Sequence, residues 1–480
     1  MSKGNDKLVK EITARDEDFA QWYTDVCKKA ELMDYTNAKG FIIYRPYGYA
    51  IWENIQEFLN HEFKKTGHQN VYFPLVIPES LFMKEAEHVE GFAPETAIVT
   101  IGGKEVLSER LIIRPTSEVL FCDHYSKIVS SYRDLPKKYN QWCSVVRWEK
   151  TTRPFLRGSE FLWQEGHTIH ATEEEAREEV LGMLEIYKRL GSEVLAIPFV
   201  TGKKTEKEKF AGAMETYTTE ALMHDNKALQ SGTTHYFGTG FAEAFNITFQ
   251  DKDKVLKPVH QTSWGASTRL IGAIIMVHGD DSGLVLPPYV APTQVLIVPI
   301  QQQKDGVLEK SRELLASLES KGIRASIDDS DKSPGWKFAE AEMKGIPIRI
   351  EIGPRDLEQN HCVVVTRYNH EKTLISLDEV VSKIPSLFEK IHNAMYQVAL
   401  DNVKNNTRPA LTYDEFKEII DQKGGYVKMM WCGDQACEDK IKEETSATSR
   451  CIPFEQEHLG DICPVCGKKA KMEVYFAKAY

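Results

Sequence analysis

Between Ser144 and His167 the chain reads SVVRWEKTTRPFLRGSEFLWQEGH, a run of side-chain types that packing alone does not require. Arg147 offers a guanidinium whose fork matches phosphate and carboxylate in geometry as well as charge. Glu149 offers an acceptor-only carboxylate, suited to a donor such as an exocyclic adenine amine. Arg157 adds a second guanidinium, and Phe161 an aromatic face on which a base can stack. The chemistry of such a set is nucleotide activation. The same residues also fit a surface hairpin whose charges face water, and this stretch by itself does not separate the two readings.

Positioning these groups calls for a strand, loop and strand. Apolar residues run into Arg147 and Glu149 as a strand would, a proline-containing basic loop reverses the chain, and Arg157 and Phe161 follow on its return. A second fragment, SWGASTRLIGAIIMVHGD, sets Ser267 and Arg269 ahead of an apolar helix whose Gly272 is small enough to let it pack closely against a sheet. A third, KKTGHQNVYFPLVIP, ends a long helix from about Tyr47 to Lys65 and leads into a strand closed by Pro74, an arrangement suited to a dimer interface.

Taken in chain order, the third, first and second of these fragments resemble motifs 1, 2 and 3 of the class II aminoacyl-tRNA synthetases, and the strings between them resemble those of the prolyl-tRNA synthetases. The likeness rests on RPTSE (Arg114–Glu118), VVRWE (Val145–Glu149), FLRGSEFLWQEGH (Phe155–His167), SGTTHYFG (Ser231–Gly238) and SWGASTR (Ser263–Arg269). It continues through GIPIRIEIGPRDLE (Gly345–Glu358) and RCIPFEQ (Arg450–Gln456). The cysteine-bearing tail matches the archaeal and eukaryotic type. Only Leu162 to Thr262 lies between motifs 2 and 3, so the large editing insertion of the bacterial type is absent.

The resemblance implies a homodimer with three domains per chain. Residues 1–286 would form an α+β catalytic domain on an antiparallel sheet, 287–400 an α/β anticodon-binding domain, and 401–480 a small zinc-binding α+β domain. It implies activation of L-proline with ATP to the adenylate, with release of pyrophosphate, and transfer to the 3′ end of proline tRNA. No protein nucleophile is needed, because phosphoryl chemistry of this kind runs on positioning and charge stabilisation. Arg147 would grip the α-phosphate and the substrate carboxylate, Glu149 the adenine amine, and Phe161 the ring face. Arg157 and Arg269 would hold the remaining phosphates and the ring, with Thr233 and Ser267 adding ATP contacts. Arg147 and Arg269 are the two expected catalytic groups. Gln230 would help to hold Mg²⁺, which keeps several waters and needs few protein ligands. For proline, Glu118 beside Thr116 can accept both N–H donors of the secondary ammonium, and Trp163 supplies an apolar wall. Arg147, Glu165, His167 and His235 would complete that pocket. Glu342, Arg349, Arg355 and Asp356 are the candidate readers of the G-rich anticodon, although Arg349 on an alternating strand equally fits a solvent-facing residue paired with Glu351.

Two rival readings compete. Another class IIa synthetase, such as the threonyl or glycyl enzyme, does not account for the TSE and LWQEGH strings or for the tail. A non-catalytic tRNA-binding paralogue would be expected to lose the phosphate-gripping arginines, and both are present.

The composition agrees. A chain of 480 residues is too long for one core and points to about three domains. No apolar run approaches the roughly 20 residues of a membrane span, and the start, MSKGNDKLVK, lacks the apolar segment of a signal peptide, which predicts a cytoplasmic protein. A net charge of −11 argues against a general nucleic-acid coat but leaves room for a local basic stripe. Of nine cysteines, Cys27, Cys122, Cys143 and Cys362 read as small core residues. Cys432 with Cys437 and Cys463 with Cys466 form short-spaced pairs, which in a reducing compartment read as a closed, structural four-thiolate zinc site, with Cys451 buried between them.

Elsewhere, Phe19, Trp22, Tyr23 and Val26 recur at helical spacing. Thr172 with Glu175 reads as a capping box opening a helix that ends near Gly191. Lys203 to Lys209 reads as a solvated loop. LPPYVAP, from Leu286, marks a boundary, because clustered prolines continue neither helix nor central strand. Alternating strands and helices then run to a helix from about Asp378, and DNVKNNTRPA reads as a second linker.

Overall fold

The computed structural model describes residues 12–86 and 95–480, so the expectation for MSKGNDKLVK lies outside the described residues. A sheet of eleven strands forms the backbone of the molecule. Its centre is an antiparallel run built from Val200–Lys203, Glu215–Leu222, Ala228–Gly238, His260–Ser267, Glu160–His170 and Lys137–Val146. Glu165, His167, Thr233, His235 and Ser263 all sit on these central strands, which makes the sheet the platform of any site they form.

One face of the platform carries the helices. Asp18 accepts from the Gln21 amide and so caps Phe19–Lys29, whose Trp22, Tyr23, Val26 and Cys27 are fully buried. The apolar helix Arg269–His278 buries Leu270 through Met276 against the same core. The atoms nearest Gly272 come from the hairpin loop and the N-terminal helix. A Cβ on it would lie 2.4 Å from the Leu156 side chain and 3.0 Å from the Tyr23 hydroxyl, so its smallness lets the helix dock on the hairpin loop and the N-terminal helix. Thr172 caps Glu173–Leu190 by accepting from the Glu175 amide, and Glu175 returns a bond to the amide of Ala171 rather than of Thr172.

The hairpin forms with Val145 opposite Phe161 and Gln141 opposite Glu165, but its first strand stops at Val146. Arg147 and Glu149 therefore lie on the loop, where Arg153 and Arg157 form a small bridge of their own. The long helix runs Pro46–Lys65, with proline at its first turn where a missing N–H costs nothing. Beyond it only Gln69–Asn70 is strand, and Val76–Pro78 pairs with Glu105–Ile113 instead, so Pro74 closes no strand.

Residues 295–376 make a second sheet of five strands in which Val295–Pro299 pairs in parallel with Ala325–Ile327 and Ile348–Ile352. Helices Val307–Glu319, Pro334–Met343 and Val380–Asn405 accompany it. That last helix absorbs the first half of the expected linker, and Thr407–Pro409 then enters the large sheet beside Tyr426–Trp431. The C-terminal strands Tyr426–Trp431, Thr448–Pro453 and Met472–Ala477 extend the large sheet through pairing of Ile452 with Lys203.

Lys203 to Lys209 is not the solvated loop that its charges predicted. Lys204 and Thr205 are buried, Lys204 on Glu220 and Thr205 on Glu438, because the C-terminal strands cover this segment.

Candidate active site

A cavity of about 280 Å³ opens on the exposed side of the platform, between the hairpin loop, the sheet and the start of the helix Arg269–His278. Arg147 enters it from the loop. Its Nε donates to Pro115 O at 3.0 Å, which leaves the other nitrogens of the fork toward the cavity. The guanidinium lies 5.4 Å from the ring centres of both Phe161 and Trp163. Burial pulls its pKa down, while Glu118, Glu165 and Glu149 act in the opposite sense. Arg269 is held from the far side, with Nε on Leu156 O at 3.1 Å and Nη1 on Gln230 O at 3.3 Å. Burial, then the charges of Arg157 and Arg147, lower it to about 10. Three guanidiniums thus converge on one cavity, an arrangement suited to a polyanion.

The other expected nucleotide groups line the same space. Glu149 and Arg157 face each other at 3.7 Å across the loop, Phe161 stands edge-on to Trp163, and Thr233 and Ser267 lie on adjacent strands. The Gln230 amide carries no hydrogen-bond partner among the described residues, so its oxygen is free to bind a hydrated cation.

Across the cavity, Arg114 ties the Thr116 and Glu118 turn in place. It is 1 % exposed and donates to Ser144 O and Phe73 O. The Thr116 hydroxyl bonds the Glu118 carboxylate, which sits at the first turn of Glu118–Ile128. Glu165 has a different standing. Its two oxygens are taken by Ser117 Oγ at 2.5 Å, Gln141 Nε2 at 3.0 Å and His167 Nε2 at 2.9 Å. Burial would raise its pKa, but these partners outweigh that and hold it low. It orients His167, which stacks on Phe121 at 4.2 Å. His235 has a threonine hydroxyl on each nitrogen, Thr216 at 2.9 Å and Thr233 at 3.1 Å. Burial, with His167 as the lesser cause, lowers it to about 3, so it is a neutral wall.

Among the lining residues, Glu208, Phe210 and Thr216 lie outside every string that the sequence reading singled out for the site. Phe210 packs on His235 at 4.8 Å. A single aromatic at the end of an otherwise charged run was the available signal.

Outside the lining of the cavity, the four expected thiols meet. Cys432, Cys437, Cys463 and Cys466 bring their sulfurs within 4.8 Å of one another, with Cys432 to Cys437 at 3.7 Å and to Cys466 at 3.6 Å. Four thiolates about 2.3 Å from a tetrahedral ion would stand about 3.8 Å apart, so the set can hold a metal. Cys451 is outside it, fully buried and pushed up to about 12 by burial.

In the smaller sheet, Arg349 lies over Phe338 at 4.1 Å and reaches Glu351 at 3.0 Å and Glu342 at 3.6 Å. Arg355 is exposed nearby in sequence, whereas Asp356 accepts from the Gly353 amide and faces His361, a helix-capping arrangement.

Comparison with known proteins agrees with this geometry. Residues 103–278 match the tRNA synthetase class II core domain (G, H, P, S and T), 294–387 the anticodon binding domain, and 413–480 the prolyl-tRNA synthetase C-terminal domain. A proline–tRNA ligase of Clostridium novyi is 62% identical over 474 residues, covering 99% of each chain. The chain belongs to the prolyl-tRNA synthetases. Another proline–tRNA ligase of the family, from Lachnoclostridium phytofermentans, is 64% identical over the same share of each chain. The crystal structure of prolyl-tRNA synthetase from Cryptosporidium parvum complexed with halofuginone and AMPPNP superposes with a TM-score of 0.95 at 40% identity, covering 100% of this chain and 99% of that one.

Proposed function

We propose that this cavity joins L-proline to ATP and then passes the prolyl group to the 3′ end of proline tRNA. The observation that carries the reading is the convergence of Arg147, Arg157 and Arg269 opposite the Thr116 and Glu118 pair in one enclosed space. A proline carboxylate and an α-phosphate repel each other in water. Arg147, with its fork open to the cavity, bridges the two and holds them in line. A carboxylate oxygen then forms the bond to α-phosphorus as the bond to pyrophosphate breaks, and Arg269 and Arg157 take the growing charge. Glu149 and Phe161 fix the adenine, and Thr233 and Ser267 flank the phosphates. Glu118 and Thr116 accept from the ammonium, Trp163 and His235 wall the ring, and Glu165 acts by holding His167.

Mg²⁺, when bound through Gln230, would neutralise phosphate charge. Zn²⁺ fits the four-thiolate cluster, whose closed donor set leaves no position for a substrate. Glu342, Arg349, Arg355 and Asp356 are assigned to the anticodon, in a division of the chain into 1–286, 287–400 and 401–480.

Homodimer formation is supported by exposed apolar side chains around the three-stranded sheet that follows the long helix. Tyr72 is 70% exposed, Ile101 57% and Val106 79%, which is unusual for a surface left to water. Cytoplasmic residence is part of the same reading; among the described residues no helix is long and apolar enough to cross a membrane. The test is proline-dependent ATP–pyrophosphate exchange by the purified protein, with threonine and glycine as controls. Absence of exchange with proline would refute the assignment.

A further inference from the structure

Glu220 is completely buried on the strand Glu215–Leu222, yet it is an acid with two cations on it. Lys204 Nζ reaches one oxygen at 2.8 Å, and Arg450 reaches the other with Nε at 3.1 Å and Nη2 at 3.0 Å. Thr218 donates to the first oxygen at 2.9 Å. Burial by itself would raise the carboxyl pKa, but Lys204 and Arg450 together outweigh it and hold the group ionised. Arg450 comes from the C-terminal strand Thr448–Pro453, almost at the far end of the sequence from motif 2.

The register shows which way this cluster faces. Thr216 pairs with His235 and Thr218 with Thr233, and Glu220 pairs with Gln230 across a bulge that leaves Ser231 extra. Alternation puts Thr216, Thr218 and Glu220 on one face of the strand, and Thr216, Thr233, His235 and Gln230 all line the cavity. Glu220 therefore lies buried on the same strand face as these lining residues, paired with Gln230 on the neighbouring strand. Gln230 is also where Arg269 rests, through its carbonyl. A bulge re-aims the side chain next to it and needs support, because its extra residue breaks the ladder.

We propose that Arg450 is a positioning residue for nucleotide activation: together with Lys204 it clamps Glu220 beside the bulge, and so aims the Gln230 amide at the ATP-bound cation and steadies the carbonyl on which Arg269 rests. The inference rests on the assignment of Gln230 to Mg²⁺ made above. It gives the C-terminal module a direct part in the first half-reaction, through a charge it supplies rather than through its metal site. The net charge of the trio is positive, which suits a floor beneath a polyphosphate.

The test is Arg450→Met in the full chain, with exchange measured against ATP, proline and Mg²⁺ separately. Losing a residue that orients a metal ligand costs about 10- to 100-fold. The expected result is a rise of that order in KM for ATP and a higher Mg²⁺ half-saturation, with KM for proline unchanged. Arg450→Lys keeps the charge but cannot make both bonds to one oxygen, and should fall between. It also serves if Arg450→Met does not fold. Thr205→Val loosens the same junction through Glu438 and Ser449 without touching Glu220, so it should lower Tm and leave the Mg²⁺ half-saturation in place. A folded Arg450→Met or Arg450→Lys protein with normal KM for ATP and normal Mg²⁺ half-saturation would overturn the proposal, as would a parallel rise in KM for proline. Gln230→Ala separates the two layers. If it leaves the Mg²⁺ dependence unchanged, the Gln230 assignment fails; if it shifts that dependence and the Arg450 variants do not, only the present inference falls.

Discussion

Arg157 Nη1 and Glu149 Oε2 stand 3.7 Å apart across the mouth of the hairpin loop, each committed to the other although each is assigned to a different part of ATP. The Arg157 side chain is 52% exposed, so the pair is worth at most about 1 kcal/mol and is readily exchanged for a phosphate and an adenine amine. Arg157→Ala should therefore raise KM for ATP while moving Tm by little. Calorimetry alongside exchange kinetics checks this, and a large loss of stability with normal KM would make the pair structural.

Arg147→Ala should reduce proline-dependent exchange by at least about 10²-fold, the usual loss when one preorganised charge donor is removed. Among the described residues, one of its donors is tied to the protein, so the fold should survive. Near-normal exchange in the folded variant would remove Arg147 from the mechanism.

Arg349→Ala should weaken tRNA charging by about 1–3 kcal/mol without altering proline activation, since the two reactions use separate sheets. Because Arg349 also holds Glu351 and covers Phe338, Arg349→Lys is the necessary companion: it keeps the charge and loses the fork. Equal losses in exchange and charging would point to misfolding instead.

His235 is lowered to about 3 by burial, below its usual range, and the sign of its effect on stability follows. The unfolded chain takes up this proton near pH 6.5 and the folded one does not, so stability is full above that pH and declines as pH falls toward 3. Buried His170 and His278, each lowered to about 4 with burial the leading cause, act in the same direction. Tm should fall between pH 7 and pH 5, and less steeply in His235→Asn. A rising Tm over that interval would contradict the neutral assignment.

Metal analysis should find about one zinc per chain. Cys463→Ser should lower the stability of the C-terminal region and, because its strands continue the catalytic sheet, exchange activity as well. Full activity in a metal-free variant would show the two ends of the sheet to be independent.

Much of the site was already legible in the chain. The types of Arg147, Glu149, Phe161 and Arg269 suit a nucleotide, the resemblance of their strings to the family motifs separates that reading from a solvated hairpin, and the paired cysteines announce their cluster by spacing. Those are local properties, set by side-chain type and by the fixed geometry of hairpin and helix start. Helices and strands of the 295–376 region were equally readable, since their apolar periods are short-range.

What the sequence could not show were pairings between distant segments. Lys204 looked like a solvated charge because nothing near it in sequence reveals Glu220 opposite or Arg450 arriving from the C-terminal strands. Glu165 looked like a ligand group, and only the fold reveals that Ser117, Gln141 and His167 already occupy its oxygens. Gly272 promised a close contact with a sheet, and the atoms nearest to it proved to belong to Leu156 and Tyr23. Burial, partner identity and protonation depend on which surfaces the folded chain brings together. A residue's type sets what chemistry it can do, while its tertiary neighbours decide whether that capacity is spent on the protein or left for a substrate.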